Sequence, residues 1–228
     1  MYTLLALKAN YQAIKRSEKE VEFLVIHYTA NDGDTARNNL RYYNSSVVGA
    51  SAHFFIDENE VCCSVPWYFT AWHCGTKGAY KHPKCRNNNS VGIELCSRKD
   101  ENGNYYFKRE VIERAAEFTA QQMKFYNIPI EKVLRHYDIT GKLCPRPFIL
   151  DGEWNKFKEK VLEYYNGKGG ESMKYYETLS EIPAGEMREV VEKLIDRGTI
   201  KGTGEGKLHL SEDMVRMFVF NNREGLYK

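Results

Sequence analysis

The sequence has no long apolar run. Nothing in it approaches the ~18–20 apolar residues of a membrane span, so no spanning helix is expected. The apolar start, Met1 to Leu7, is cut off by Lys8, which is too short for a signal-peptide core, and no small-residue cleavage site follows. The chain is therefore expected to be made in the cytoplasm without a signal peptide. Charge of one sign is also lacking. Lysine and arginine (33) nearly balance aspartate and glutamate (31), and the net +2 is too small to argue for nucleic acid. The six cysteines (62, 63, 74, 85, 96 and 144) include no Cys-x-x-Cys pair, which argues against a four-cysteine structural metal site. In a reducing compartment they stay thiols, and Cys62, Cys63, Cys74, Cys85 and Cys96 read as small buried hydrophobes. Cys144 stands apart because of its neighbours.

What is present suits a soluble protein: 42% apolar and 28% charged residues in 228, enough for one good core plus a small second domain. Phe23-Leu-Val-Ile-His27-Tyr-Thr29 reads as a buried strand ending in a histidine, where α/β sheets place ligands; a hydrogen-bonded core histidine is the alternative. A short helix from Ala36 to Tyr43 follows, capped by Asp34 or Thr35. Ser51 to Ile56 is a second strand, with His53 in a structural role, and Asp57 to Glu60 turns it into Val61 to Val65. Trp67 to Trp72 is expected to continue the sheet. Cys74 to Ser90 is a long glycine- and asparagine-rich loop of a kind that is often functional. At its root Trp72 and His73 either line a groove for a sugar or peptide or pack under the loop. Val91 to Cys96 is another buried strand, and Glu94 within it is costly unless paired or used; burial raises a carboxylate toward the range of a useful base. An amphipathic helix spans Arg109 to Asn127 and another Trp154 to Tyr165. Residues 166–173 read as a flexible linker between a domain over 1–165 and a small helical one over 174–228. In the latter, Met187, Val190, Val191, Leu194 and Ile195 share a helix face that ends at Gly198, and Ser211 caps a second helix.

The chemistry concentrates in His136-Tyr-Asp-Ile-Thr-Gly-Lys142-Leu-Cys144-Pro-Arg-Pro147. Gly141, Pro145 and Pro147 argue for an irregular path rather than a helix, with Lys142 and Cys144 facing one space. An imidazole and a thiol at this range suit Zn2+, and His27 supplies a third ligand. Three protein ligands with one open position are the pattern of a catalytic metal rather than a structural one. Glu94 is then placed to move a proton and Lys142 to stabilise an oxyanion, a set suited to amide hydrolysis.

Val25-Ile-His27-Tyr-Thr29, Ser51-Ala-His53-Phe, Ser90-Val-Gly-Ile-Glu94 and His136 to Pro145 together resemble the type 2 N-acetylmuramoyl-L-alanine amidases, which include phage endolysins, autolysins and peptidoglycan recognition proteins. The resemblance covers about residues 20–165. It implies an α/β fold, a mixed central β-sheet flanked by helices, and zinc-dependent cleavage of the bond between muramic acid and L-alanine in bacterial peptidoglycan. By position it implies His27, His136 and Cys144 as zinc ligands and Glu94 and Lys142 as catalytic residues, with Trp72, His73 and Asn89 expected at the substrate. Some members carry a tyrosine just before the second histidine, where this chain has Ala52, which leaves more to Glu94 and Lys142. The C-terminal segment, with Ile182-Pro, Leu194-Ile-Asp-Arg-Gly198 and Gly202 to Gly206, resembles a single S-layer-homology repeat. It reads as a cell-wall-binding domain for secondary wall polymers or as a packing or self-association appendage. The whole suggests an endolysin acting on the wall after release. The rival readings are a non-catalytic peptidoglycan-binding module and a zinc peptidase cutting within the stem peptide, although the common zinc-peptidase helix motif is not what matches.

Overall fold

The computed structural model describes residues 1–76, 78–167, 175–203 and 207–227. The chain divides into two compact units, Tyr2–Gly169 and Gly170–Lys228. The larger is built on a six-stranded sheet of β1 (Tyr2–Thr3), β2 (Phe23–Tyr28), β3 (Phe54–Ile56), β4 (Val61–Cys63), β5 (Ser90–Leu95) and β6 (Val133–Arg135), in the spatial order β1-β4-β3-β5-β2-β6. The sheet is mixed. Only the hairpin β3–β4 is antiparallel, and every other neighbouring pair runs parallel. The central strands β2 and β5 are covered on both faces, which is why they read as continuous apolar runs rather than alternating ones.

Helices flank this sheet. On one face α2 (Arg109–Tyr126) presents Phe118 edge-on to Phe54 of β3, with ring centroids 4.8 Å apart, and α4 (Asp151–Tyr165) packs on α2. Helix α2 ends as its sequence dictates, with Asn127 in the left-handed conformation (φ 54°) ahead of Pro129. On the other face α1 (Ala36–Ser45) lays Ala36 and Leu40 against Phe55 and Cys96. Thr35 is its cap, the Oγ1 accepting from the Asn38 N–H at 3.1 Å. Farther along the same face Phe23 and Val25 pack with Cys74, Cys85, Leu134 and Ile139. The 74–90 loop is thus fastened to the sheet by its two cysteines, which are buried as expected.

Two expectations fail locally. Trp67 to Trp72 does not continue the sheet. Only Thr70–Ala71 is extended there, paired with Tyr11–Gln12 in a separate ribbon. Pro66 breaks the path, since it brings no N–H to a ladder and its carbonyl accepts from Phe69 N–H in a turn. The stretch after β6 is not irregular throughout either: His136–Thr140 form a short helix, α3. Asp138 makes this possible by accepting from the Arg135 N–H (2.8 Å) and its guanidinium (2.7 Å), and Gly141 closes the turn at φ 81°. The prolines act only beyond it.

In the smaller unit α5 (Glu186–Asp196) packs its buried Val190, Val191 and Leu194 on α6 (Glu212–Arg223). Gly198 follows α5 at φ 68°, and the Ser211 hydroxyl caps α6 by accepting from Met214 N–H. A ribbon of Tyr175–Tyr176 with Leu210–Ser211 completes it. Residues 168–173 of the expected linker, and 204–206 of the glycine-rich pattern, lie outside the described residues.

Candidate active site

Parallel pairing puts the chemistry at one end of the sheet. His27 and Glu94 are register partners near the carboxyl ends of β2 and β5, and His136 directly follows β6, whose Arg135 pairs with Ile26. Ligands of open α/β sheets bind outside the carboxyl ends of the strands. Cys144 returns to the same place: its carbonyl accepts from Tyr137 N–H at 2.8 Å, so the segment folds back on the start of α3.

His27, His136 and Cys144 are 1%, 3% and 3% exposed, and their ligand atoms all lie within 4.8 Å of one another. Cys144 Sγ is 3.7 Å from His27 Nδ1, and the two imidazoles meet edge to face at 4.9 Å between centroids. Both ring nitrogens of His136 are buried, and apart from a poorly aligned approach to the Gly75 backbone neither has a hydrogen-bond partner. Such orphaned groups cost about 1–3 kcal/mol each, so an unliganded His136 would be an expensive side chain to bury. Burial holds His136 down to about 4 and His27 well below its ordinary value, so both imidazoles are neutral and have lone pairs to give. Burial pushes the Cys144 thiol up to about 12, with the negative Glu94 adding to it, and a divalent cation is what would make that thiol ionise. Two neutral imidazoles, one of them an orphaned buried ring, and one thiol fit Zn2+.

Glu94 is half-buried, and its Oε2 is buried with no hydrogen-bond partner. Burial raises it to about 8, opposed by the positive charge of Lys142. Lys142 itself is exposed, beyond the Gly141 cap.

Of the residues expected at the substrate, Trp72 is half-buried, its backbone tied on both sides to Ser51. The Asn89 side chain serves the 86–89 turn, its Oδ1 accepting from Arg86 N–H at 2.8 Å and its amide donating to the Lys84 carbonyl. His73 lies buried under His27 rather than at the surface. His53 is structural, its Nδ1 accepting from Gly92 N–H at 2.9 Å.

Several residues that hold this arrangement gave no signal in the sequence. Asn87 Oδ1 accepts from the backbone N–H groups of both His73 and Cys74, which fixes the chain where it enters the loop. Arg16 is buried and donates to the carbonyls of Trp67, Asn87 and Asn88, clamping the loop to the neighbouring turn. Gly92 leaves room for the His73 ring, because a Cβ there would lie 2.6 Å from His73 Cγ. Gly92→Ala is therefore expected to cost roughly 1–3 kcal/mol in a denaturant titration, as overpacked cores do. A wild-type midpoint would mean the ring has free space to move into.

The comparisons with known proteins agree with this geometry. The chain is similar to the N-acetylmuramoyl-L-alanine amidase BlyA of Bacillus subtilis (strain 168), 34% identical over 161 residues that cover 65% of this chain and 43% of that protein. It is 32% identical to the amidase XlyB of the same strain over 165 residues, 72% of this chain and 49% of the relative. It thus spans less than half the length of either. A solved structure described as a mutant endolysin from Bacillus subtilis superposes with a TM-score of 0.57 at 26% identity, covering 70% of this chain and 97% of that one. The sequence profile of the N-acetylmuramoyl-L-alanine amidases matches residues 17–147, a span that contains His27, Glu94, His136, Lys142 and Cys144, and the chain belongs to that family.

Proposed function

We propose that this chain is a zinc-dependent N-acetylmuramoyl-L-alanine amidase that cuts the amide between the lactyl group of muramic acid and L-alanine in bacterial peptidoglycan. The observation that carries the reading is the buried His27–His136–Cys144 cluster with Glu94, whose buried Oε2 has no hydrogen-bond partner, on the strand paired with that of His27. Those three residues would hold Zn2+, which would supply Lewis-acid chemistry for polarising a carbonyl and acidifying water. The Glu94 carboxylate takes the proton of the attacking water and returns it to the leaving amine as the C–N bond breaks, leaving a lactyl carboxylate and a free L-alanine amino group. Burial favours protonated Glu94, while the positive charge of Lys142 favours the carboxylate, so its affinity for a proton is set between the two. Lys142, at the solvent side, offers its ammonium to the oxyanion that develops on the carbonyl oxygen.

The Gly170–Lys228 unit is assigned to the wall as well, as a single S-layer-homology-like module for secondary wall polymers, with self-association as its other reading. No helix among the described residues is long and apolar enough to cross a membrane. The role that fits these parts is an endolysin that reaches the wall on release. Digestion of purified peptidoglycan with and without a chelator tests the reading by mass spectrometry of the new ends. Free N-terminal L-alanine, abolished by chelation and restored by Zn2+, is the expected result. Ends inside the stem peptide would make it a peptidase, and wall binding by zinc-loaded protein with no new ends would make it a recognition module.

A further inference from the structure

We infer that His73 is a positioning residue that selects which nitrogen of His27 faces the metal, through a directed chain of hydrogen bonds ending on the Arg86 carbonyl. The chain is read from its far end. The Ser90 hydroxyl lies 2.5 Å from the Arg86 carbonyl oxygen, which can only accept, so the serine proton points there. Toward His73 Nε2, at 3.2 Å, Ser90 Oγ is then the acceptor, and Nε2 carries the His73 proton. A neutral imidazole has one proton, and the other nitrogen of this ring faces a second imidazole rather than a carboxylate. Its Nδ1 is therefore bare and accepts from His27 Nε2, 3.0 Å away. His27 in turn keeps its proton on Nε2 and presents a lone pair on Nδ1, the nitrogen that faces Cys144 Sγ.

Each link is held by its surroundings. Asn87 Oδ1 takes the backbone N–H of His73, and the missing side chain at Gly92 admits the ring. The Cys74 thiol also approaches His73 Nδ1, at 3.2 Å, but a thiol is a weak donor beside an imidazole N–H, and Nδ1 has one lone pair. Metal-bound histidines characteristically donate their second N–H to a carboxylate, carbonyl or water, which orients the ring and fixes its tautomer. Here a second histidine fills that place, anchored to the backbone through a serine.

The inference rests on His27 being a ligand, and the test separates the two. Zinc affinity is measured by competition with a chromophoric chelator on the full chain. His73→Phe keeps the ring volume and removes the acceptor, and should weaken zinc about 10–100-fold, the range for lost outer partners. His73→Asn places Oδ1 near the position of Nδ1 and should recover most of that loss. Ser90→Ala, which frees the His73 proton, should fall between. Long-range proton–nitrogen correlations on zinc-loaded wild-type protein read the tautomers directly and need no variant to fold: Nε2-protonated His73 and Nε2-protonated His27 are expected. His73 protonated on Nδ1, or a folded His73→Phe that binds zinc as tightly as wild type, overturns the inference and leaves the amidase reading intact. Wild-type protein that binds no zinc overturns both.

Discussion

Glu94→Gln should bind zinc with wild-type stoichiometry and lose turnover by about 10²–10⁴-fold, the usual worth of a positioned acid–base group. The amide is close to isosteric, so packing against the β2–β5 pair is kept, and what goes is the ability to hold and return a proton. The same substitution should separate catalysis from stability. In metal-free protein burial raises Glu94 from 4.5 to about 8. At this group the folded state binds more protons than the unfolded one across that window, so the Glu94 contribution to stability falls as pH rises from 4.5 toward 8, while the buried neutral His27, His73 and His136 contribute in the opposite sense below about 6.5. Glutamine has no proton to lose and should remove the Glu94 contribution, so the two profiles should diverge across the window. Denaturant titrations of the two metal-free proteins across that window, with peptidoglycan turnover measured beside them, check both halves. A fully active Glu94→Gln would remove Glu94 as the base, and parallel pH profiles would show that its carboxylate is not desolvated in solution.

Glu94 could be singled out from sequence because a carboxylate inside Val91-Gly-Ile-Glu94-Leu has no cheap explanation. That His27, His136 and Cys144 come together was legible for a related reason: imidazole and thiol are metal-ligating groups, and a strand ending in histidine already points to the binding end of a sheet. The residues that hold them were not legible, because their roles exist only after the chain has folded. Gly92 looks like a weak spot in a strand, yet it is where the His73 ring fits. Arg16, in Ile14-Lys-Arg-Ser17, belongs to no pattern in the sequence and gains its role only when Trp67, Asn87 and Asn88 bring their carbonyls to it. Asn89, expected at the substrate, has its side chain engaged by its own turn, which the sequence does not announce. Helix α3 was missed because two prolines and a glycine outweighed Asp138, whose reach back to Arg135 N–H pays for the turn. In each case local propensity gave way to a contact made from elsewhere in the chain.

Cys144→Ser should weaken zinc binding by more than the ~10–100-fold that loss of an outer partner costs, because it removes a ligand rather than its support. A serine hydroxyl would have to ionise in a buried site, where even the thiol is pushed up to about 12. Cys144→Asp offers an oxygen ligand that is already anionic and should retain more affinity than serine. Cys63 is the informative control. Burial alone pushes its thiol to about 12 too, so acidity does not distinguish the two cysteines; position does. Cys63 sits in β4, two strands away from the β5–β2 pair, whereas Cys144 Sγ lies 3.7 Å from His27 Nδ1. Cys63→Ala should therefore lower the unfolding midpoint and leave zinc stoichiometry at wild type, while Cys144→Ser should do the reverse or both. Zinc content after dialysis, read beside a thermal melt for each variant, distinguishes these outcomes. If Cys144→Ser kept its zinc and its activity, the third ligand would have to be sought elsewhere, and the cluster of three would lose the member that makes it a metal site.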